Sequence, residues 1–195
     1  APIGIPLINV LEVKINPVSN PVFKTNLFTF ERKYVIMSKK SLNAKKEFTM
    51  TREEYIEHLA LRTNEVHMTT KNSKTGSAII DLAFPVNTCR DDAPCKGDGC
   101  YCCKGTQSMA VVQGAYYRNW RLYNEDPVDF WNQVKHKIKW SGLQKCRFFD
   151  SGDFPDYAFL IGACMLAKEL PDVKFMAFTK KYFLVNTYLE QVGKL

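Results

Sequence analysis

Residues 89–103, CRDDAPCKGDGCYCC, gather five of the seven cysteines of a 195-residue chain into one short stretch. Ionised thiols are nucleophiles and soft metal ligands, so such a density needs a chemical reason. Disulfides suit small secreted domains, but APIGIPLINVLEV does not read as a signal peptide, and adjacent Cys102 and Cys103 are poorly placed to bridge. Structural zinc takes four ligands, usually in short-spaced pairs. Cys100 and Cys103 make one C-x2-C pair, with Cys89 and Cys95 as a wider second. An iron–sulfur cluster takes thiolates on a loop. Cys89, Cys95 and Cys100, spaced x5 and x4, would ligate three irons of a 4Fe-4S cubane and leave the fourth open to an exchangeable ligand. Spacing alone does not separate iron from zinc, so the expected metal ligands are Cys89, Cys95, Cys100 and Cys103. Arg90, Lys96 and Lys104 are expected to offset the thiolate charge, while Pro94, Gly97 and Gly99 let the loop wrap tightly.

A second polar group follows the next strand-like run. In RFFDSGDF, Gly152 permits close backbone approach, and Asp150, Ser151 and Asp153 offer carboxylates and a hydroxyl to the amine or hydroxyls of a ligand. The competing role of this turn is to cap the helix that begins at Tyr157, which Asp153 or Asp156 would satisfy. Thr179 and Lys180 end a third strand-like run, AFTKK. The expected cofactor-binding residues are therefore Asp150, Ser151, Gly152, Asp153 and Thr179.

For these groups to meet, the elements that carry them must share one face. AIIDLAFPV is an apolar run of strand length, spanning about Ile79 to Phe84, that ends at Pro85 and opens onto the cysteines. KCRFFD and VKFMAFT read as two more strands. TMTREEYIEHLALR predicts a helix with Thr51 and Glu54 as its capping box. DPVDFWNQVKHKIKW predicts another, capped by Asp126, with Pro127 in its first turn and Phe130, Val134 and Ile138 on one face. QSMAVVQGAYYRNWRLYN, YAFLIGACMLAKEL and KYFLVNTYLEQV complete the helices.

From residue 78 the alternation predicts an α/β fold: βα repeats with a parallel sheet resembling a partial (βα) barrel, preceded by an N-terminal extension of short strands and one helix. Residues 1–70 are the extension, and 71–195 the βα domain carrying the cysteine loop. Consecutive parallel strands put their following loops on one rim. Three strands do not close an eight-stranded barrel. Either the N-terminal strands complete a smaller open sheet, or the fold is larger than this sequence. Cys146 and Cys164, in a strand and an apolar helix, are expected in the core, and His58 and His67 are assigned to no site.

Lys and Arg outnumber Asp and Glu by 27 to 20, a formal net charge of +7, which favours anionic partners, nucleic acid among them. The excess is diffuse: ERKYVIMSKKSLNAKK and KHKIKW read as ordinary solvated faces. No apolar run reaches the roughly 18 residues of a membrane span, so no membrane partner is expected.

NSKTGSAIIDLAFPVNTC, the CY at Cys100–Tyr101, YRNW, and RFFDSGDF followed by LPDVKFMAFTK together resemble the phage "gene product 88" family, from about Asn72 to Thr179. That family's layout is similar to the radical S-adenosylmethionine fold, with a three-cysteine cluster loop after the first strand and a glycine-and-acid turn after the second. The resemblance implies that Cys89, Cys95 and Cys100 are cluster thiolates and that Ser151, Gly152 and Asp153 stand in the turn that binds S-adenosylmethionine. It implies a phage protein acting in the host cell cytoplasm or associated with the virion. Two functions stay open. One is an enzyme-like open cluster that donates an electron to S-adenosylmethionine, on an unknown substrate. The other is a non-enzymatic basic phage protein, stapled by zinc or a closed cluster, that binds nucleic acid or other phage proteins. The extra thiols Cys102 and Cys103 favour the second, and the DSGDF turn favours the first.

Overall fold

The computed structural model describes residues 34–35, 49–70, 77–96 and 99–192. The short strands expected over residues 1–40 lie outside these, apart from Tyr34–Val35 (β1), which pairs antiparallel with Thr49–Met50 (β2). Gly97 and most of the turn at 69–77 also lie outside the described residues.

Local signals fix the helix starts. Thr51 Oγ1 accepts from the Glu54 amide at 3.2 Å and Glu54 Oε2 accepts from the Thr51 amide at 2.7 Å, so the capping box opens α1, Arg52–Leu61. Ile56, Leu59 and Ala60 of α1 are buried, and the helix lies close against α2, Ala110–Glu125. Gly114 permits that approach, because a Cβ there would sit 2.5 Å from the Leu59 Cβ. Asp126 accepts from the Asp129 amide and Pro127 takes the first turn of α3, Pro127–Ser141, as expected. Its Phe130, Val134 and Ile138 are fully buried.

The sheet has the order β3-β4-β5-β6, with β3 at Met68–Thr69, β4 at Ile80–Leu82, β5 at Lys145–Phe148 and β6 at Lys174–Ala177. β4, β5 and β6 run parallel, whereas β3 joins the edge antiparallel. The expectation of a parallel sheet resembling a partial barrel is corrected accordingly. β3 to β6 make one mostly parallel four-stranded sheet, separate from the β1–β2 pair, and no barrel forms among the described residues. The antiparallel edge comes from the chain before residue 70. Asn119, fully buried on α2, holds it: its Nδ2 donates to the carbonyls of His67 and Ala83, and its Oδ1 accepts from the His67 amide. Burial is the main cause that lowers the His67 pKa, followed by Arg118 and Lys137, in keeping with a structural histidine.

α4, Tyr157–Glu169, and α5, Tyr182–Val192, follow β5 and β6. Asp156, not Asp153, caps α4, accepting from the Phe159 amide at 2.8 Å. One sheet face presents Ile80, Leu82, Phe84, Cys146 and Phe148 to an aromatic core. Phe159 sits at its centre, with ring centroids 5.2 Å from Phe84, 5.1 Å from Tyr123 and 4.7 Å from Trp131. Cys146 is buried in this core and Cys164 packs against it half-buried; burial and then Asp81 push the Cys146 thiol up to about 12. This core fixes the strand ends from which the three rim loops leave.

Phe159→Ala removes the fully buried ring on which the others converge. We expect a loss of about 3–5 kcal/mol in urea unfolding at unchanged m-value. A loss below about 1 kcal/mol would show that the core does not close around this ring.

Candidate functional site

The carboxyl ends of β4, β5 and β6 point the same way, so the cysteine loop, the DSGDF turn and the AFTKK turn meet on one rim. β4 ends at Leu82, Pro85 leads into a 3-10 turn at Val86–Thr88, and Cys89 begins the loop. The loop returns through 3-10 turns at Tyr101–Cys103 and Gly105–Ser108 into α2. Cys100 and Cys102 are buried, Cys89 and Cys95 half-buried, and Cys103 exposed; all seven cysteines are free.

The DSGDF turn is built for close contact. Gly152 has φ +81°, and a Cβ there would lie 2.7 Å from Thr88 Oγ1 and 2.8 Å from the Phe84 carbonyl, so only glycine lets the two loops touch. Phe149 occupies the left-handed region at φ +67°, a conformation that costs a side-chain-bearing residue about 1–2 kcal/mol. Two hydrogen bonds hold it there and carry the pairing of β4 and β5 past their ends: the Phe149 amide donates to the Leu82 carbonyl at 2.7 Å, and the Phe84 amide to the Ser151 carbonyl at 3.0 Å.

The candidate cofactor-binding residues are engaged with their neighbours. Asp153, 3% exposed, accepts from Thr179 Oγ1 at 2.6 Å and the Phe154 amide at 2.7 Å through Oδ1, and from the Lys180 amide at 2.8 Å through Oδ2. Its own amide donates to Thr88 Oγ1 at 3.0 Å. Asp150 pairs with Arg147 at 3.4 Å and accepts from Gln107 Nε2 at 2.9 Å. Tyr101 OH and Cys102 Sγ donate to the Asp150 carbonyl, the thiol at 3.7 Å. Ser151 Oγ is buried without a conventional hydrogen bond, and the polar group that feels it is the Cys102 thiol. Cys102 is therefore a peg that seats the cysteine loop on the DSGDF turn.

The loop thiols lie within one another's electrostatic reach. Burial pushes Cys89 up to about 12, and Asp153, Cys100, Cys102 and Cys95 push the same way. Burial and then Cys100 push Cys103 up to about 11. Burial also raises Cys102, while the neighbouring Ser151 and Tyr101 hydroxyls lower it. Arg90 and Lys96, expected to offset thiolate charge, instead pair with Asp92 and Asp91. The cation at the sulfurs is Lys180, whose Nζ donates to Cys95 Sγ at 2.8 Å; that bond is the first cause of its raised pKa. Arg90 adds a second tie, donating to the Lys180 carbonyl at 3.3 Å. Sequence reasoning placed Lys180 on the rim but not against Cys95. It missed the Arg147–Asp150 pair, although Arg147 alternates with buried Cys146 and Phe148 and so must face the other side of the sheet. Between the loops lies a cleft of about 170 Å³ whose lining includes Cys89, Gly152, Asp153, Thr179, Lys180 and Tyr182. Among the described residues, no three His, Cys, Asp or Glu side chains stand as a ready-made metal ligand set.

Asp153→Asn puts an amide N–H donor against either the Lys180 amide or the Thr179 hydroxyl. We expect the ligand-free protein to lose about 1–3 kcal/mol in urea unfolding. A residue present only to bind a ligand would leave that stability unmoved.

No described helix is long and apolar enough to cross a membrane. Searches of the curated proteins and of the solved structures each returned no match. A family model described as gene product 88 matches residues 38–193, which extends the resemblance read from the sequence across α1 and β3 at one end and α5 at the other. With four-fifths of its length matched, the chain belongs to the phage gene product 88 family.

Proposed function

We propose that this phage protein binds metal through its cysteine loop, with Cys89, Cys95 and Cys100 holding an iron–sulfur cluster beside the cleft on the rim. The observation that carries the reading is the gathering of five free thiols in the one loop that follows β4, with the Lys180 ammonium 2.8 Å from Cys95 Sγ. Neighbouring thiols oppose one another's ionisation and ionise together only beside a cation. Lys180 supplies a single positive charge there; a bound metal supplies more. The donor set fits in kind, because soft sulfurs with no histidine among them suit iron–sulfur clusters or zinc. The sulfurs as they stand are not a closed ligand trio, so loading draws the loop inward, as metal binding commonly does. Once bound, a cluster with one open iron would supply one-electron chemistry to a ligand in the cleft. The radical S-adenosylmethionine-like layout read from the sequence makes S-adenosylmethionine that ligand. Gly152, Asp153 and Thr179 would shape its seat.

A specific observation favours a second reading. The carboxylates of Asp150 and Asp153 are already engaged by Arg147 with Gln107 and by Thr179 with the Lys180 amide, so neither is free for a ligand's amine. On that reading Cys89, Cys95, Cys100 and Cys103 close a structural zinc site on a basic protein that contacts nucleic acid or other phage proteins.

Purification without oxygen, followed by metal analysis and an absorption spectrum, separates the two. A brown protein absorbing near about 400 nm with bound iron supports the cluster. A colourless protein with about one zinc per chain overturns it in favour of the staple. Across single alanine variants, Cys89, Cys95 and Cys100 should each abolish loading on either reading. Cys103→Ala should leave an open cluster nearly intact and markedly weaken a four-thiolate zinc site.

A further inference from the structure

We infer that Cys100 and Cys103 form a reversible dithiol–disulfide pair, a redox site within the cysteine loop. The pair itself goes beyond the metal reading; only its consequence for ligand number rests on that reading.

The Cys103 amide donates to the Cys100 carbonyl at 3.2 Å, closing the 3-10 turn over Tyr101–Cys103. A turn closed this way holds its first and fourth Cα atoms within about 7 Å, and disulfides ordinarily span about 4.4–6.8 Å between Cα atoms. At three residues per turn, side chains three apart in sequence also fall on the same side. The competing thiols are held elsewhere: Cys102 Sγ donates to the Asp150 carbonyl, and Cys95 Sγ accepts from Lys180 Nζ. Exposure then sets the order of reaction, because Cys103 faces solvent while Cys100 is buried behind it.

The oxidant class is a small soluble disulfide, glutathione disulfide serving as the probe. The Cys103 thiolate attacks one of its sulfurs, forming a Cys103–glutathione mixed disulfide and releasing one glutathione thiolate. Cys100 attacks the Cys103 sulfur, the Cys100–Cys103 bond forms, and the second glutathione leaves. Two electrons pass from the protein to the oxidant, and the two thiol protons end on the two released glutathiones. The oxidised loop has lost two sulfurs as metal ligands, so reduction would restore the capacity to load.

The test uses the full chain, free of metal, equilibrated at defined ratios of oxidised to reduced glutathione and then quenched with a maleimide for mass analysis. Two of the seven thiols should disappear in one transition. The tryptic peptide GDGCYCCK, residues 97–104, should carry one maleimide in place of three and two hydrogens fewer than the unlabelled reduced peptide plus that one adduct. Cys102→Ser should keep that change, and Cys103→Ser should lose it. Cys100→Ser should stop at a stable glutathione adduct on Cys103. Because Cys103 is exposed, Cys103→Ser should retain the wild-type circular dichroism and unfolding midpoint, so its loss of the bond is not a folding defect. Seven thiols surviving at every ratio, or a lighter peptide that vanishes in Cys102→Ser, overturns the pair. Loading the reduced chain with zinc or iron keeps the two proposals apart. A pair that oxidises in a chain that never takes up metal sinks only the metal reading. A chain that loads metal but keeps both thiols at every ratio when metal-free sinks only the pair.

Discussion

One buried carboxylate holds the rim together. Asp153 takes its donors from the Phe154 amide, the Thr179 hydroxyl and the Lys180 amide, while its own amide donates to Thr88 Oγ1 at the root of the cysteine loop. Hydrogen bonds to a charged group contribute about 1.5–3 kcal/mol each, and an ionised carboxylate buried without partners would neutralise or unfold its surroundings. The three loops therefore converge on this one group. Its reach extends to the thiols through the chain: fixing the Lys180 amide fixes the base of the side chain whose ammonium meets Cys95.

Strand direction does the remaining positioning. Because β4, β5 and β6 are parallel, their outgoing loops have no choice of side, and residues 65 positions apart in sequence, Thr88 and Asp153, meet within hydrogen-bond distance. The crowding this produces appears as backbone strain. Gly152 takes a conformation closed to other residues against Thr88 and Phe84, and Phe149 accepts a left-handed one just before it. The cost of Phe149 is repaid by its burial in the aromatic core beside Phe154, with ring centroids 4.7 Å apart.

What the sequence made legible follows from which interactions are local. Thr51 with Glu54, Asp126 with Pro127, and the Phe130, Val134 and Ile138 face are all decided within one or two helical turns, and each forms where the pattern put it. The order of β4, β5 and β6 was readable for a similar reason, since each apolar run is followed by its own helix. The antiparallel edge strand was not. Two residues carry too little pattern to mark a strand, and β3 is fixed by Asn119, about fifty positions away. At the site, spacing identified the residues but not their engagements. Asp150 and Asp153 carry the chemistry of a ligand-binding turn, yet whether a carboxylate is free depends on Arg147, Gln107, Thr179 and Lys180, which reach it only through the fold.

The same limit applies to the two thiols that follow Cys100. As letters in CYCC, Cys102 and Cys103 are alike, and both look spare beside three better-spaced cysteines. A 3-10 turn advances about 120° per residue, so neighbours on it cannot face the same way. One of them must point inward, and Cys102 does, donating to the Asp150 carbonyl beside the Ser151 hydroxyl. Cys103 is thereby turned outward to solvent, on the side of the turn that it shares with Cys100 three residues before it. A serine at 102 would keep a donor there, though a shorter one, whereas a serine at 103 would keep the fold and remove the sulfur chemistry. The turn divides one pair of adjacent cysteines into an anchor and a reactive group, and that division follows from backbone geometry before any metal or oxidant enters.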